Sequence, residues 1–245
     1  MYILTIILLV ILIIIGLAYY FTVWSKTQIF GYFPYSIKTD KKIIALTFDD
    51  GPNPPYTNEL LTILARHNVK ATFFLTGKRL SKFPELGQAL VKAGHIIGNH
   101  SYSHKFTKNF TSLSFETEIT RAQKVIEEIT GKRPALYRSP WLFRQPWLLR
   151  NLRAHGLTPV AGFFSSSWEA WHAAPKIIAT DAFKTIAPGR IIIFHDGADI
   201  NLFSWDNYRA GSVGAIDLII PELKKQGYEF LTVDQLLGVA AYQTI

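Results

Sequence analysis

Short apolar runs that alternate with longer amphipathic stretches constrain the fold of this chain more than any other feature. Seven runs have the length and the β-branched and aromatic content of strands: 43–48, 71–76, 95–99, 135–137, 159–164, 190–194 and 230–233. Stretches with helical periodicity lie between them: 57–67, 84–93, 114–130, 146–155, 175–186 and 212–226. This alternation is typical of parallel sheets, so we predict an α/β fold, a distorted seven-stranded (β/α) barrel with parallel strands.

The first 25 residues contain no charged side chain. About 20 apolar residues in a helix span roughly 30 Å, which matches the core of a bilayer. An aromatic belt follows at Tyr19, Tyr20, Phe21 and Trp24. A signal peptide would have a basic start, a shorter apolar stretch and a small-residue cleavage site. We therefore expect an uncleaved transmembrane helix at 1–25, a tether at 26–40 and a single catalytic domain at 41–245.

The chain lacks cysteine and has a formal net charge of +8. The lack of cysteine excludes disulfides, thiolate metal sites and a cysteine nucleophile, so any metal must be held by His, Asp or Glu. The basic residues are scattered rather than clustered, which favours a solvated surface over an anion-binding patch. No nucleic-acid partner is expected, and the oligomeric state is left open.

Polar side chains follow four of the predicted strands. Asp49 and Asp50 follow the first strand, His100 the third, Arg138 the fourth and His195 the sixth. The carboxyl ends of the strands in such a barrel share one rim, where active sites form. We therefore expect these residues, distant in the chain, to form one site.

Two of these clusters suggest a bound metal. Adjacent carboxylates at Asp49 and Asp50 repel each other unless a cation or a shared proton compensates, although acids also cap turns. His100 and His104 are four residues apart, a spacing that places two imidazoles on one side of a turn. Two histidines, one carboxylate and an open position form a recurring catalytic zinc site. Together the clusters predict a metal-dependent hydrolase.

Four short motifs resemble those of the polysaccharide deacetylases, the NodB-homology domains of carbohydrate esterase family four. The motifs are TFDDGP at 47–52, HSYSH at 100–104, RSPW at 138–141 and IFHD at 193–196. The resemblance extends over residues 41–237, nearly the whole chain after the apolar segment. It implies removal of N-acetyl groups from N-acetylglucosamine-type residues of peptidoglycan or a chitin-like oligomer, with release of acetate.

The resemblance also implies a role for each residue. Asp50, His100 and His104 would hold one divalent ion, which we expect to be zinc. The remaining roles are a general base at Asp49 paired with Arg138, a general acid at His195, and an oxyanion-binding backbone N–H at Trp141, next to Pro140. A carboxylate bound to the cation is poorly available for proton transfer, so the second aspartate must do that work.

One motif departs from the family pattern. Ser165 stands about where the family has an aspartate that steadies the catalytic histidine. A serine cannot stabilise an imidazolium as a carboxylate does. Either Glu169 substitutes, or His195 has a lower pKa and is a weaker acid. The departure also leaves open a non-catalytic, membrane-tethered glycan-binding protein with a structural metal. A third possibility is an amidohydrolase that acts on a small non-sugar amide, because the chemistry of a metal-bound water is not specific to sugars.

Aromatic residues near the motifs are candidates for stacking on sugar rings. They are Trp141, Phe143, Trp147, Trp168, Trp171 and Trp205.

The orientation in the membrane is a separate question. By the positive-inside rule, the lysines that follow the apolar segment would place the domain in the cytoplasm. A polysaccharide substrate points outward instead, and we expect a single-pass membrane protein with an extracytoplasmic domain.

Overall fold

The strands form one parallel sheet. The computed structural model describes residues 2–24, 26–171, 173–197 and 208–244. Its strands are β1 (Ile43–Asp49), β2 (Thr72–Leu75), β3 (Ile96–Asn99), β4 (Leu136–Tyr137), β5 (Thr158–Pro159), β6 (Phe163–Phe164), β7 (Ile191–His195) and β8 (Glu229–Leu231). Every pairing among these strands is parallel. The predicted α/β class is confirmed.

The helices are α1 (Tyr2–Val23), α2 (Tyr56–Arg66), α3 (Gly77–Lys82), α4 (Pro84–Lys92), α5 (Ser112–Thr130), α6 (Leu148–Ala154), α7 (Pro175–Thr185), α8 (Ala210–Lys225) and α9 (Val233–Leu237). Helix α1 precedes the sheet, α9 follows its last strand, and the six predicted amphipathic helices lie between the strands in the predicted order. Helices α3 and α9 were not predicted because neither is long enough to show a helical period. Thr232 and Gln235 form a capping box at the start of α9. The last strand therefore ends at Leu231, earlier than predicted.

The sheet curls into a half-barrel with seven strands in the order β5-β4-β3-β2-β1-β7-β6, and β8 pairs with β1. The prediction of one strand at 159–164 is wrong, because β5 and β6 lie at opposite edges of this order. The backbone N–H of Val160 still donates to Tyr137, whereas that of Ser165 donates to Ile193 on the other edge. Only three residues join the two edges, so the sheet must curl until the edges approach each other.

Alternate side chains of β1 face opposite sides of the sheet. Leu46 and Phe48 pack with residues of α2 and α8 in the larger core. Ala45 points the other way, into a smaller cluster with Phe74 and with Val233 of α9. Burying a valine, leucine or phenylalanine side chain contributes about 1.5–3 kcal/mol, so packing stabilises both faces of the sheet. The polar residues at the strand ends are left at the rim.

Helix α1 has 22 residues, a mean hydropathy of 2.9 and no buried residue. It is long and apolar enough to cross a membrane, and a signal sequence meets the same criteria. The segment after it contacts the domain. Phe33 is buried, Ser36 forms an antiparallel bridge with Arg190, and the backbone N–H of Ala161 donates to Pro34.

Candidate active site

The turn after β1 places two carboxylates side by side. Asp49 is the last residue of the strand, and Asp50 follows with φ of 72°, in the left-handed region that non-glycine residues rarely adopt. Gly197 packs directly on this turn, and a Cβ on it would overlap the carbonyl group of Asp50. The backbone N–H groups of Asp196 and Gly197 both point at the Asp49 carbonyl. The turn is therefore held by the loop after β7.

The histidine loop after β3 is held against α5. Asn99 donates to the Ile119 carbonyl and accepts from the backbone N–H of Ser101. Ser103 donates through both its backbone N–H and its hydroxyl to Glu118 Oε2, at 2.6 and 2.9 Å. Ser101 and His104 also have positive φ, 65° and 56°. These contacts compress the five-residue loop so that both histidines face Asp50.

Asp50, His100 and His104 form a buried group with the geometry of a metal site. Asp50 Oδ1 lies 3.2 Å from His100 Nε2 and 3.1 Å from His104 Nε2. Two ligands about 2.0–2.1 Å from a tetrahedral ion lie about 3.3 Å apart, so the spacing fits. Asp50 Oδ1 is buried and accepts no hydrogen bond from the described part of the chain. A cation would satisfy this oxygen.

A hydrogen bond from its other ring nitrogen orients the His100 imidazole. His100 Nδ1 lies 2.8 Å from the Arg138 carbonyl, so Nδ1 carries a proton and Nε2 is the ring nitrogen that faces Asp50. Burial alone would raise the pKa of Asp50, but His104 and His100 outweigh it and hold that pKa far below its usual range. Asp50 is therefore ionised, as a metal ligand must be.

Asp49 forms a buried ion pair with Arg138. Arg138 Nη1 lies 2.7 Å from Asp49 Oδ1 and also donates to Thr47 Oγ1 at 2.7 Å. Its Nη2 donates to the Ala161 carbonyl, and its guanidinium lies over the Phe74 ring. Burial lowers the pKa of Arg138, while the charge of Asp49 opposes that shift. Arg138 thus anchors Asp49 from behind the site.

His195 ends β7 and is bonded to Glu169. His195 Nδ1 lies 3.1 Å from Glu169 Oε2, and the His195 backbone N–H donates to Oε1 at 3.3 Å. Burial lowers the pKa of His195, but Glu169, with smaller contributions from Asp50 and Asp49, raises it from 6.5 to about 9. Of the two readings of the altered motif, the contact matches substitution by Glu169. Ser165 is buried, and its hydroxyl finds no partner among the described residues.

The loop after β4 closes the site. Trp141 and Leu142 both have φ of 55°, a conformation stabilised by the hydrogen bond from Ser139 Oγ to the Phe143 carbonyl. The Trp141 ring packs on the His104 ring, with centroids 4.3 Å apart. Pro140, the residue before Trp141, is buried.

One cavity of about 310 Å³ brings most of the predicted residues together. It is lined by Asp49, Asp50, His100, His104, Ser139, Trp141, Leu142, Phe164, Ser166, Ser167, Glu169, His195 and Arg209. Arg138 and Pro140 lie behind this lining. Its size is at the lower end of the usual range for ligand pockets, about 300–1,000 Å³.

Six residues that line the cavity had no predicted role: Ser139, Leu142, Phe164, Ser166, Ser167 and Arg209. Phe164 stacks on His195, with ring centroids 6.1 Å apart and planes at 11°. Arg209 is buried and donates from Nε to the Gly197 carbonyl. Phe164 directly precedes Ser165 of the altered motif and ends a strand, either of which could have marked it, whereas Arg209 lies outside the motifs.

The predicted aromatic platforms differ in position. Trp141 lines the cavity, and Trp168 is 51% exposed close to it. Trp147 is partly buried, and its indole Nε1 is shielded from solvent. Trp205 and the side chain of Trp171 lie outside the described residues.

The chain matches the model of a known protein family. The family model described as polysaccharide deacetylase matches residues 36–160. The chain belongs to the polysaccharide deacetylase family. This match contains three of the four motifs, and IFHD at 193–196 lies beyond it.

Several proteins similar to this chain are peptidoglycan deacetylases. A peptidoglycan-N-acetylglucosamine deacetylase of Bacillus cereus is 35% identical over 84% of this chain and 93% of its own length. The peptidoglycan-N-acetylmuramic acid deacetylase PdaC of Bacillus subtilis is 36% identical over 82% of this chain and 40% of its own length. The structure of the Bc1960 peptidoglycan N-acetylglucosamine deacetylase superposes with a TM-score of 0.77 at 28% identity, covering 85% of this chain and 94% of that one.

Proposed function

We propose that this protein is a zinc-dependent deacetylase that removes N-acetyl groups from N-acetylglucosamine-type residues of peptidoglycan, releasing acetate. One observation carries the proposal. A buried Asp50-His100-His104 group opens into the same cavity as Asp49 and His195. The similar cell-wall deacetylases favour peptidoglycan over a chitin-like oligomer as the polymer.

Asp50, His100 and His104 would hold the ion. When bound, it would lower the pKa of a water molecule and polarise the acetyl carbonyl. The donor set, two imidazoles and one carboxylate with no thiolate, suits zinc and also accepts other divalent ions. The orientation of His100 by the Arg138 carbonyl provides the kind of outer contact that such ligands use.

Asp49 is the proposed general base. Arg138 holds its Oδ1 at 2.7 Å, and its place in the cavity lining gives it access to a water molecule near Asp50. The two adjacent carboxylates thus divide the work, because the one that holds the cation cannot readily accept a proton.

The other half of the reaction would use the loop after β4 and the end of β7. The backbone N–H of Trp141, held by the left-handed turn that follows Pro140, is the proposed donor to the developing oxyanion. His195, protonated through its contact with Glu169, would donate its proton to the departing amine.

Two other functions were open from the sequence. A non-catalytic glycan-binding protein drew its support from the missing aspartate at Ser165, and the contact between Glu169 and His195 favours the deacetylase instead. An amidohydrolase for small non-sugar amides uses the same metal chemistry. A substrate panel separates it from the proposed deacetylase.

We propose an anchor at 1–25, a linking segment at 26–40 and a catalytic domain at 41–245. A peptidoglycan substrate requires the domain to lie outside the cytoplasm. The lysines after α1 oppose this orientation by the usual charge rule, so it needs a direct test. Protease added to intact cells should degrade the domain, and protection from protease in intact but not in lysed cells would contradict the orientation.

The function is tested by measuring acetate release from peptidoglycan and chitin oligomers side by side, with metal analysis of the same samples. We expect release from peptidoglycan, and loss of both metal and activity in Asp50→Ala. His67→Gln is a matched control, because His67 pairs with Asp217 away from the site. Activity that survives both Asp50→Ala and chelation would rule out the mechanism.

A further inference from the structure

A second cavity lies between the end of α1 and the catalytic domain. Its volume is about 370 Å³, and it is lined by Tyr19, Val23, Trp24, Lys26, Phe163, Phe164, Lys184, Thr185 and Arg190. We call it the interfacial groove. One wall comes from the apolar helix and the residues just after it, and the other from β6, the end of α7 and Arg190, the residue before β7.

The position of the groove along α1 sets its depth in a membrane. The helix has 22 residues, which span about 33 Å, close to the roughly 30 Å core of a bilayer. Tyr19 and Trp24 lie near its end, where aromatic side chains settle at the headgroup level. The domain residues that share a cavity with them therefore lie at the same level.

The groove is basic. Lys26 and Arg190 lie over the Phe163 ring, with Lys26 Nζ 5.9 Å and the Arg190 guanidinium carbon 4.4 Å from its centroid. Lys184 forms a pair with Asp181 at 2.8 Å. Three cations and one acid leave an excess of positive charge where the phosphates of a bilayer would lie.

Arg144 ties the end of α1 to the catalytic domain. Its backbone N–H donates to the Thr22 carbonyl, and its Nη1 donates to the carbonyls of Trp24 and Thr27. A cation at the carboxyl end of a helix is also favoured by the helix dipole. Because Arg144 is buried in the domain, the end of α1 has a fixed place beside the groove.

We propose that the interfacial groove binds the phosphate headgroup of an anionic membrane phospholipid. The inference rests on the proposed anchoring of α1, and not on the proposed deacetylation. Phe164 lines both this groove and the catalytic cavity. A bound headgroup therefore places the opening of the catalytic cavity at the membrane surface, next to glycan that lies close to the bilayer.

The test uses the full chain in vesicles of phosphatidylcholine with and without a photoreactive phosphatidylglycerol. Cross-links should map to the groove residues. The variant Lys26→Gln/Lys184→Gln removes two exposed charges and should weaken phosphatidylglycerol binding roughly twenty-five-fold, about fivefold for each lysine near the surface. Free inorganic phosphate added as a competitor should have little effect, because it lacks the membrane anchor.

The matched control is Lys124→Gln/Lys225→Gln. Both lysines are exposed and, like Lys184, pair with a nearby acid on their own helix. Equal cross-linking in the two double variants, or full displacement by inorganic phosphate, would overturn the proposal. Flotation with the vesicles is measured separately, so that failure of the anchor, which also overturns the proposal, is distinguished from failure of the groove. Acetate release, measured on soluble oligomers, reports the proposed deacetylation independently.

Discussion

His195 Nδ1 lies 3.1 Å from Glu169 Oε2, and the other oxygen of that carboxylate accepts from the His195 backbone N–H. The two residues are 26 positions apart, and the carboxylate comes from a short 3-10 helix after β6. It orients the imidazole and stabilises its protonated form, which leaves Nε2 as the donor to a leaving amine.

The variant Glu169→Gln tests this relationship through the pH profile. Burial lowers the pKa of His195, but Glu169 outweighs burial and raises that pKa to about 9. The protonated acid should therefore persist up to that pH. Removing the carboxylate lowers the pKa, and the alkaline limb of kcat/KM should move to lower pH. Activity between the two limbs should fall on the order of tenfold.

The same pair affects stability with a defined sign. The folded pKa of His195 lies above 6.5, so its stabilisation is present below pH 6.5 and is lost as the pH rises through about 9. Urea unfolding at several pH values measures it. Glu222→Gln, an exposed glutamate paired with Lys225, is the control. A profile unchanged in Glu169→Gln would show that Glu169 does not support His195.

Substitution of the adjacent aspartates should separate the two proposed roles. Asp49→Asn should keep the bound metal and lose activity by about 10²- to 10⁴-fold, the usual contribution of a general base. Asp50→Asn should lose the metal and the activity together. Metal content by mass spectrometry and acetate release distinguish these outcomes. Equal metal loss in both variants would contradict the division.

Asp49→Asn should also destabilise the domain. It leaves the fully buried guanidinium of Arg138 without its anionic partner, which costs about 3–5 kcal/mol. The free energy of unfolding, measured by urea titration, should fall by that amount. The surface variant Glu128→Gln, which breaks the exposed pair with Lys124, should change it by less than about 1 kcal/mol.

Gly197→Ala should disturb the metal site from outside the ligand set. A Cβ at this position overlaps the backbone of Asp50, which cannot move away as a flexible side chain would. We expect a loss of about 1–3 kcal/mol in the free energy of unfolding and weaker metal binding. Gly227→Ala is the comparison. It meets nothing within 4 Å and should show only the smaller cost of its φ of +81°, with metal binding unchanged.

Arg144→Gln should loosen the link between α1 and the catalytic domain. It removes the charged donor to the carbonyls of Trp24 and Thr27, and hydrogen bonds to charged groups contribute about 1.5–3 kcal/mol each. Amide exchange of residues 20–28 should accelerate, while that of the buried strand β1 should change little. Arg121→Gln, an exposed arginine that contacts Tyr102, serves as the control. Equal exchange in both variants would exclude the link.

Much of the candidate site could be predicted from the sequence because its parts are local. His100 and His104 share one five-residue loop, and Asp49 and Asp50 are adjacent, so spacing alone defines both motifs. The gathering of these residues at one rim followed from the alternation, because parallel strands bring their carboxyl ends together. The apolar character of α1 is a property of composition and needs no partner.

The tertiary structure decided what depends on contacts between distant segments. Ser165 left the support of His195 open, and the pairing of β6 with β7 brings Glu169 to its imidazole. The sheet also divides residues 159–164 between β5 and β6 at opposite edges, since each short strand pairs with a different neighbour. Local sequence specifies which residues form strands and turns, but the hydrogen bonds between remote strands and loops depend on the closure of the whole sheet.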